Sequence, residues 1–390
     1  MTRRAIADAG TSPLPLVELS ERISPKTYQW INEADLRDAK MMNDLKEDEA
    51  FEAFAFFRRL GGDDESDEDD EEDGKVERVQ EWISSVSNVD GIGGYTMTVE
   101  TETKLCQDIE EEEEEDASSI KVKYILSDKA GGHGDDLWAA SRYIANMLAD
   151  PSKCRDFLNS GGGGDCGGVR RRRAVGRKNN LGGGSGDYHP LLGLRLLELG
   201  AGGGLPSWLA MKCGAEVVCT DQSIPDRIRC LAECAQRNLN DLKVDLVGGR
   251  DDEGNHDLVL KHAEKVRICP YDWGSATDEV ISDLRGDKNA DGFYDDGVFD
   301  VVVAADCVYI PQCHGVLLDS IMRLMSKCGV ALLPFALHGN TKDENIWAIL
   351  ELAKEKGFFV DVLEPVQLTP QSLGMDMKRG LVNMIRLKKI

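Results

Sequence analysis

From residue 191 onward the chain alternates short apolar runs with stretches whose apolar positions recur at three- and four-residue steps. The runs fall at 194–199, 216–220, 266–269, 299–304, 330–337, 358–362 and 381–387. Continuous apolar runs of this length read as strands buried on both faces, and the 3.6-residue periodicity between them as helices. The alternation predicts an α/β fold with a mostly parallel, doubly wound seven-stranded sheet covered by helices on both sides. No helical pattern joins the last two runs, so the final strand is expected to return antiparallel in the sheet's edge region. Such sheets bind ligands at the carboxyl ends of their strands, where the strand order reverses.

Upstream the pattern changes. Residues 95–103 (YTMTVETET) and 120–126 (IKVKYIL) alternate apolar and polar positions, which predicts a β-hairpin with an oversized loop. Residues 137–148 (LWAASRYIANML) predict an amphipathic helix, with Asp135 and Asp136 available to cap it. Residues 49–60 predict a short helix that runs into an acidic tract. The expected organisation is an N-terminal extension over 1–90 with short helices and a disordered tract, then one folded unit over 91–390. That unit divides into a hairpin and helix at 91–150, a Gly/Arg-rich insertion at 158–187 and an α/β core at 191–390.

Charge and cysteine usage bound the partners. The formal net charge is −25, but ten acids lie within 63–73 and eight within 108–116, leaving about −7 for the rest. An acidic chain is poorly suited to gripping nucleic-acid phosphates, so nucleic acid is disfavoured and a protein partner fits better. Eleven cysteines without a CxxC pair, several of them inside apolar runs, read as reduced thiols of an intracellular protein. Six histidines supply no metal-ligand spacing, and no metal is expected. There is neither a signal-peptide pattern nor an 18-residue apolar window, so the expected location is the cytoplasm, without a membrane; the arginines at 170–173 are compatible with nuclear import as well. A monomer is expected.

One junction carries chemistry. The run 194–199 passes directly into Gly200-Ala201-Gly202-Gly203-Gly204, after which residues 207–215 have a helical pattern, so the glycines occupy a strand-to-helix turn. Glycine there allows positive φ and close approach of the backbone to a ligand, while the helix N-terminus presents free amides. Asp221 ends the next strand, 21 residues beyond Gly200, where a carboxylate can accept from both hydroxyls of a ribose. Glu198 stands just before the loop, and Gly200, Gly202 and Gly204 alternate where a dinucleotide fingerprint would space its glycines differently. Glu198-x-Gly200-x-Gly202-x-Gly204 resembles motif I of Rossmann-like class I methyltransferases, which bind S-adenosyl-L-methionine.

Further segments extend the resemblance: Leu137-Trp138-Ala139-Ala140, Tyr271-Asp272-Trp273-Gly274 and Ala305-Asp306-Cys307-Val308-Tyr309, in that order around the loop. Together they resemble the seven-strand protein-lysine methyltransferases grouped as methyltransferase family 16, over about residues 95–390. The resemblance implies that Trp138 packs near the cofactor, that Trp273 packs against the adenine, and that the backbone around Ala305 lines the cofactor site. Asp272 either caps the following loop or meets the adenine amine. Gly203 departs from the family, which often has Thr or Ser there, without an expected loss of binding.

Asp306 and Tyr309 are the catalytic candidates. They follow an apolar strand and should emerge beside the transferred methyl group, Asp306 holding an acceptor amine and Tyr309 offering a ring face to the charge that develops on it. The alternative is an acid capping the helix from residue 312 and a core tyrosine. His338, closing the fifth run, is a weaker candidate for substrate contact. The implied activity is methylation of a lysine on another protein, with a translation elongation factor first by analogy. Methylation of a nicotinamide-like small molecule, or a non-catalytic cofactor-binding interaction module, are the alternatives.

Overall fold

The structure, a computed structural model, describes residues 14–44, 80–83, 120–126, 137–159, 188–248, 253–281, 298–337, 342–368 and 380–390. The acidic tracts, residues 160–187 of the Gly/Arg-rich insertion, residues 49–60 and 95–103, Asp135, Asp136 and His338 lie outside the described residues, while residues 158 and 159 end a helix.

The seven strands are β3 (Arg195–Leu199), β4 (Glu216–Asp221), β5 (Arg267–Pro270), β6 (Phe299–Val303), β7 (Met325–Ala336), β8 (Phe358–Gln367) and β9 (Leu381–Lys389). They form one sheet in the order β5-β4-β3-β6-β7-β9-β8. The first five are parallel; β9 runs antiparallel to both β7 and β8. This is the Rossmann-like doubly wound sheet that the alternation predicts. The antiparallel final strand lies one position in from the edge, since β8 takes the edge itself. Every residue of β4 and β6 is buried, which is why these strands read as unbroken apolar runs. Chain order reverses about β3, whose two neighbours are β4 and the much later β6. The carboxyl ends of β3 and β6 therefore open a crevice between them.

Before the sheet, α1 (Pro25–Asp44) follows a 3-10 turn at Leu16–Leu19. Composition placed these residues in an outlying extension, yet Leu19, Ile23 and Ile31 are buried in the main apolar core. Ile23 forms a parallel bridge with Ile268 of β5, and Ile268 N donates to the Arg22 carbonyl at 2.8 Å. This segment thereby satisfies the backbone at the outer edge of β5. Arg22 anchors it further, donating from Nη1 to the Glu264 carbonyl at 2.8 Å.

A two-stranded sheet joins β1 (Gln80–Ile83) to β2 (Lys121–Tyr124), antiparallel. The sequence pattern located the second arm; its described partner is residues 80–83, and the expected first arm at 95–103 lies outside the described residues. β2 is tied to α5 (Pro225–Gly248): Lys123 N donates to Asn238 Oδ1 at 2.9 Å and Ile125 N to Cys234 Sγ at 3.1 Å. Next come α2 (Ala139–Ala149) and α3 (Pro151–Asn159), and α2 packs on α4 (Leu205–Lys212), the helix behind the glycine loop. Trp138 is the N-cap of α2 and not a residue of its apolar face. The remaining helices are α6 (Glu253–Ala263), α7 (Asp278–Ile281), α8 (His314–Leu324), α9 (Asp343–Trp347) and α10 (Ile349–Glu355).

Candidate functional site

The crevice is a cleft of about 390 Å³, within the range of small-molecule sites. Its floor is the glycine loop. Gly200, Gly202 and Gly204 have φ of 64°, 54° and 71°, so each alternate glycine occupies the left-handed region. At Gly200 an added Cβ would lie 2.9 Å from Cys307 Sγ and 3.0 Å from Trp273 Cζ2. The loop packs this closely against Cys307 and Trp273 only because the side chain is missing. At Gly204 an added Cβ would meet the Trp208 ring at 2.6 Å, and the Trp208 indole donates to the Gly203 carbonyl at 2.7 Å.

The expected site residues divide into two groups. Trp138, Gly200, Ala201, Gly202, Asp221, Asp272, Trp273, Ala305, Asp306 and Tyr309 all line the one cleft, although they come from five separate stretches of chain. Glu198 and Gly204 do not line it. Glu198 is buried behind the loop, where its Oε2 accepts from Ser207 N at 3.0 Å and from the Ser207 hydroxyl. It caps the first turn of α4, and burial pushes its carboxyl up to about 8. The acid before the loop therefore fixes where helix and loop meet, and Gly204 is the N-cap of that helix.

Asp221 is buried at the end of β4. Its Oδ2 accepts from Gly202 N at 2.6 Å, and its Oδ1 from Gln222 N at 2.7 Å and Arg227 Nη1 at 3.1 Å. One carboxylate thus sets the height of the glycine loop against the next strand. Asp272 is exposed. Its oxygens accept from Ser223 N at 3.2 Å and Ser223 Oγ at 2.8 Å, linking the loops after β4 and β5, while the residue also lines the cleft.

Asp306 has φ of 55°, the one non-glycine residue with positive φ among those described. Its N donates to the Pro334 carbonyl at 2.8 Å and its Oδ1 accepts from Ala336 N at 3.1 Å. It is thus pinned to the end of β7 and does not cap the helix beyond residue 312. Aspartate tolerates the left-handed region better than most residues, but the conformation still costs about 1 kcal/mol or more, and such outliers cluster at functional sites. Tyr309 is half-buried beside it, and burial pushes its phenol up to about 12, so it stays neutral. His314 fixes this turn through a 2.8 Å contact of Nε2 with the Val308 carbonyl.

Several lining residues escaped sequence reasoning: Ser141, Gln222, Arg227, Cys307 and Ile310. Cys307 is buried and donates to the Leu199 carbonyl at 3.2 Å, packing under the loop. Arg227 had one signal available, since a buried acid at a strand end needs a cation and Arg227 is the next one along the chain. Among the described residues, three carboxylates and one guanidinium line the cleft. That balance favours a ligand or acceptor bearing positive charge.

No protein-family model matches the chain. Among curated proteins it is 31% identical over 176 residues to the protein N-terminal and lysine N-methyltransferase EFM7 of Candida glabrata, covering 45% of this chain and 58% of that protein. To the Schizosaccharomyces pombe protein of the same name it is 27% identical over 179 residues, 45% of this chain and 59% of that one. The chain thus spans less than two thirds of the length of the curated relatives it matches. Among solved structures, the magnesium protoporphyrin IX methyltransferase of Synechocystis with bound S-adenosylmethionine aligns at 16% identity, over 52% of this chain and 72% of that chain, with a TM-score of 0.30. The chain is therefore similar, over less than half of its length, to protein N-terminal and lysine N-methyltransferases, and its seven strands form a Rossmann-like sheet.

Proposed function

We propose that this homologue of protein N-terminal and lysine N-methyltransferases is itself an S-adenosyl-L-methionine-dependent N-methyltransferase whose acceptor is an amine of another protein, a lysine side chain foremost. The observation that carries the reading is the single cleft in which the glycine loop, Asp221, Trp273, Asp306 and Tyr309 meet. Its residues fit the cofactor: a bare backbone at Gly200, a ring face at Trp273, an acceptor at Asp221 and an excess of negative charge toward a sulfonium.

Bound S-adenosyl-L-methionine supplies an activated methyl group, and the protein's task is to place a neutral amine in line with it. Gly200, Ala201 and Gly202 would support the cofactor's amino-acid end, Asp221 its ribose and Trp273 its adenine. Asp306, held through Oδ1 by Ala336 N, is fixed where its carboxylate can accept from the amine and offset the charge that develops there. The Tyr309 ring adds an apolar face suited to a cation. A carboxylate also favours the protonated, unreactive amine, so the proton leaves to solvent before transfer.

The name of the relatives extends the acceptor class to a protein N-terminal amine, which the same geometry accommodates. Among lysine-bearing proteins, a translation elongation factor is the first to assay. All nine described cysteines are free thiols, which supports a reducing compartment such as the cytoplasm. Among the described residues no helix is long and apolar enough to cross a membrane.

The test incubates the full chain and tritiated cofactor with a cell lysate, and identifies the labelled residue by mass spectrometry. Label on a lysine or N-terminal amine is expected. Cofactor binding without label on any protein would overturn the assignment.

A further inference from the structure

The cleft holds a buried cation that the proposed reaction does not use. Arg227, in the first turn of α5, is 7% exposed and supplies the only positive side chain among the described lining residues. Its Nη1 donates to Asp221 Oδ1 at 3.1 Å and, more weakly, to Gln222 Oε1 at 3.4 Å. Its Nε has no partner among the described residues. Burying a guanidinium for one ion pair adds little to stability and often subtracts from it, so the placement asks for another account.

Counting lone pairs supplies one. A carboxylate offers about four acceptor positions, two on each oxygen. At Asp221 both positions on Oδ1 are taken, by Gln222 N and Arg227 Nη1, while among the described residues Oδ2 accepts only from Gly202 N. Asp221 therefore retains one position, on Oδ2, and cannot serve two hydroxyls by itself. The second acceptor lies beside it. Gln222 is exposed and lines the cleft, and the guanidinium turns its amide oxygen, not its amide nitrogen, toward Arg227 Nη1, the same donor that holds Asp221 Oδ1. One lone pair of that oxygen remains.

We infer that Arg227 is a positioning residue that presets Asp221 Oδ2 and Gln222 Oε1 as paired acceptors for a vicinal diol, the ribose of the ligand. The inference rests on the cofactor reading above and refines it. Asp221 takes one hydroxyl and Gln222 the other, and Arg227 fixes the orientation of both without touching the reacting atoms. Removing the guanidinium should weaken recognition of the diol specifically, since the Gln222 amide would then be free to turn and Asp221 Oδ1 would keep Gln222 N alone of its two donors.

The experiment is calorimetric titration of the full chain with S-adenosylhomocysteine and with its 2′-deoxy and 3′-deoxy forms. For the unaltered chain the deoxy form that loses the Asp221 contact should bind roughly 10- to 100-fold more weakly, the range for a charged acceptor, and the one that loses the Gln222 contact roughly tenfold more weakly, the upper end for a neutral one. In Arg227→Met, S-adenosylhomocysteine should itself bind roughly tenfold more weakly or worse, and both deoxy penalties should shrink to about threefold or less. A purely structural ion pair would lower the melting temperature and leave the penalties intact; that result overturns the inference. Should Arg227→Met fail to fold, Gln222→Leu at its exposed position decides: loss of one deoxy penalty with retention of the other supports the inference, and retention of both overturns it. No binding of S-adenosylhomocysteine to the unaltered chain would overturn the cofactor reading, whereas binding with unchanged penalties in the variants overturns this inference alone.

Discussion

Gly200→Ala is the sharpest perturbation of the loop, because two independent costs fall on one methyl group. The backbone stays at φ of 64°, where an L-residue pays on the order of 1 kcal/mol. The new Cβ then lies 2.9 Å from Cys307 Sγ and 3.0 Å from Trp273 Cζ2, contacts that real Cβ atoms avoid, so both side chains must shift. Overpacking of this kind costs about 1–3 kcal/mol, which gives a predicted destabilisation of roughly 2–4 kcal/mol in total. At about 2–4 °C per kcal/mol for a domain of this size, the melting temperature should fall by roughly 5–15 °C. Cofactor affinity should fall too, since Trp273 and Cys307 both line the cleft. A double-mutant cycle isolates the steric part. Cys307→Ala removes the sulfur that the methyl would strike, so the paired variant should be at least about 1 kcal/mol more stable than the sum of the singles predicts. Differential scanning calorimetry of the four proteins reads this directly. Strict additivity, or a Gly200→Ala melting temperature within about 1 °C of the parent, would refute the close-approach argument.

Three further outcomes are expected. Asp306→Ala should abolish methyl transfer while leaving S-adenosylhomocysteine affinity within a few-fold, because the acid acts on the acceptor; titration alongside a label-transfer assay checks it, and parallel loss of both would assign Asp306 to cofactor binding instead. Glu198, with its carboxyl raised to about 8 against an ordinary value of 4.5, binds its proton more tightly folded than unfolded. Its contribution is thus fully present below about pH 4.5 and is lost as pH rises toward about 8. Glu198→Gln should flatten the decline of the urea midpoint between about pH 5 and 8, and an identical pH slope in the two proteins would show that Glu198 is ionised in the native state. Leu19→Ala should cost about 2–5 kcal/mol by urea denaturation, although composition places residue 19 outside the folded unit; a cost below about 0.5 kcal/mol would detach that segment from the core.

The sheet was legible because burial on both faces writes itself as continuous apolar runs, and the glycine loop because three positive-φ positions demand three glycines. What stayed hidden was set by long-range pairing. Nothing in the alternation of residues 120–126 says that their partner lies at 80–83, since a register depends on which strand arrives and not on the pattern within one. The burial of Leu19, Ile23 and Ile31 was masked by the polar residues around them and by the acidic tract that follows; only the exposed edge of β5 explains why that segment folds back.

The loop shows the same division at the scale of single residues. Glu198 and Asp221 read alike from sequence, as two acids at strand ends flanking a glycine turn, yet the fold gives them opposite environments. Glu198 faces the N-terminus of α4, where Ser207 supplies its donors and no solvent reaches it, so burial raises its carboxyl and it serves the scaffold. Asp221 faces the cleft, where Gly202, Gln222 and Arg227 supply three donors and one acceptor position is left over. Which acid meets a ligand is therefore decided by the supply of donors around each one. The side-chain donors among them, Ser207 and Arg227, come from helices that begin 7 residues after the first acid and 4 after the second, at Leu205 and Pro225. A local motif can name both acids, but only the packing of α4 and α5 against the sheet assigns their roles.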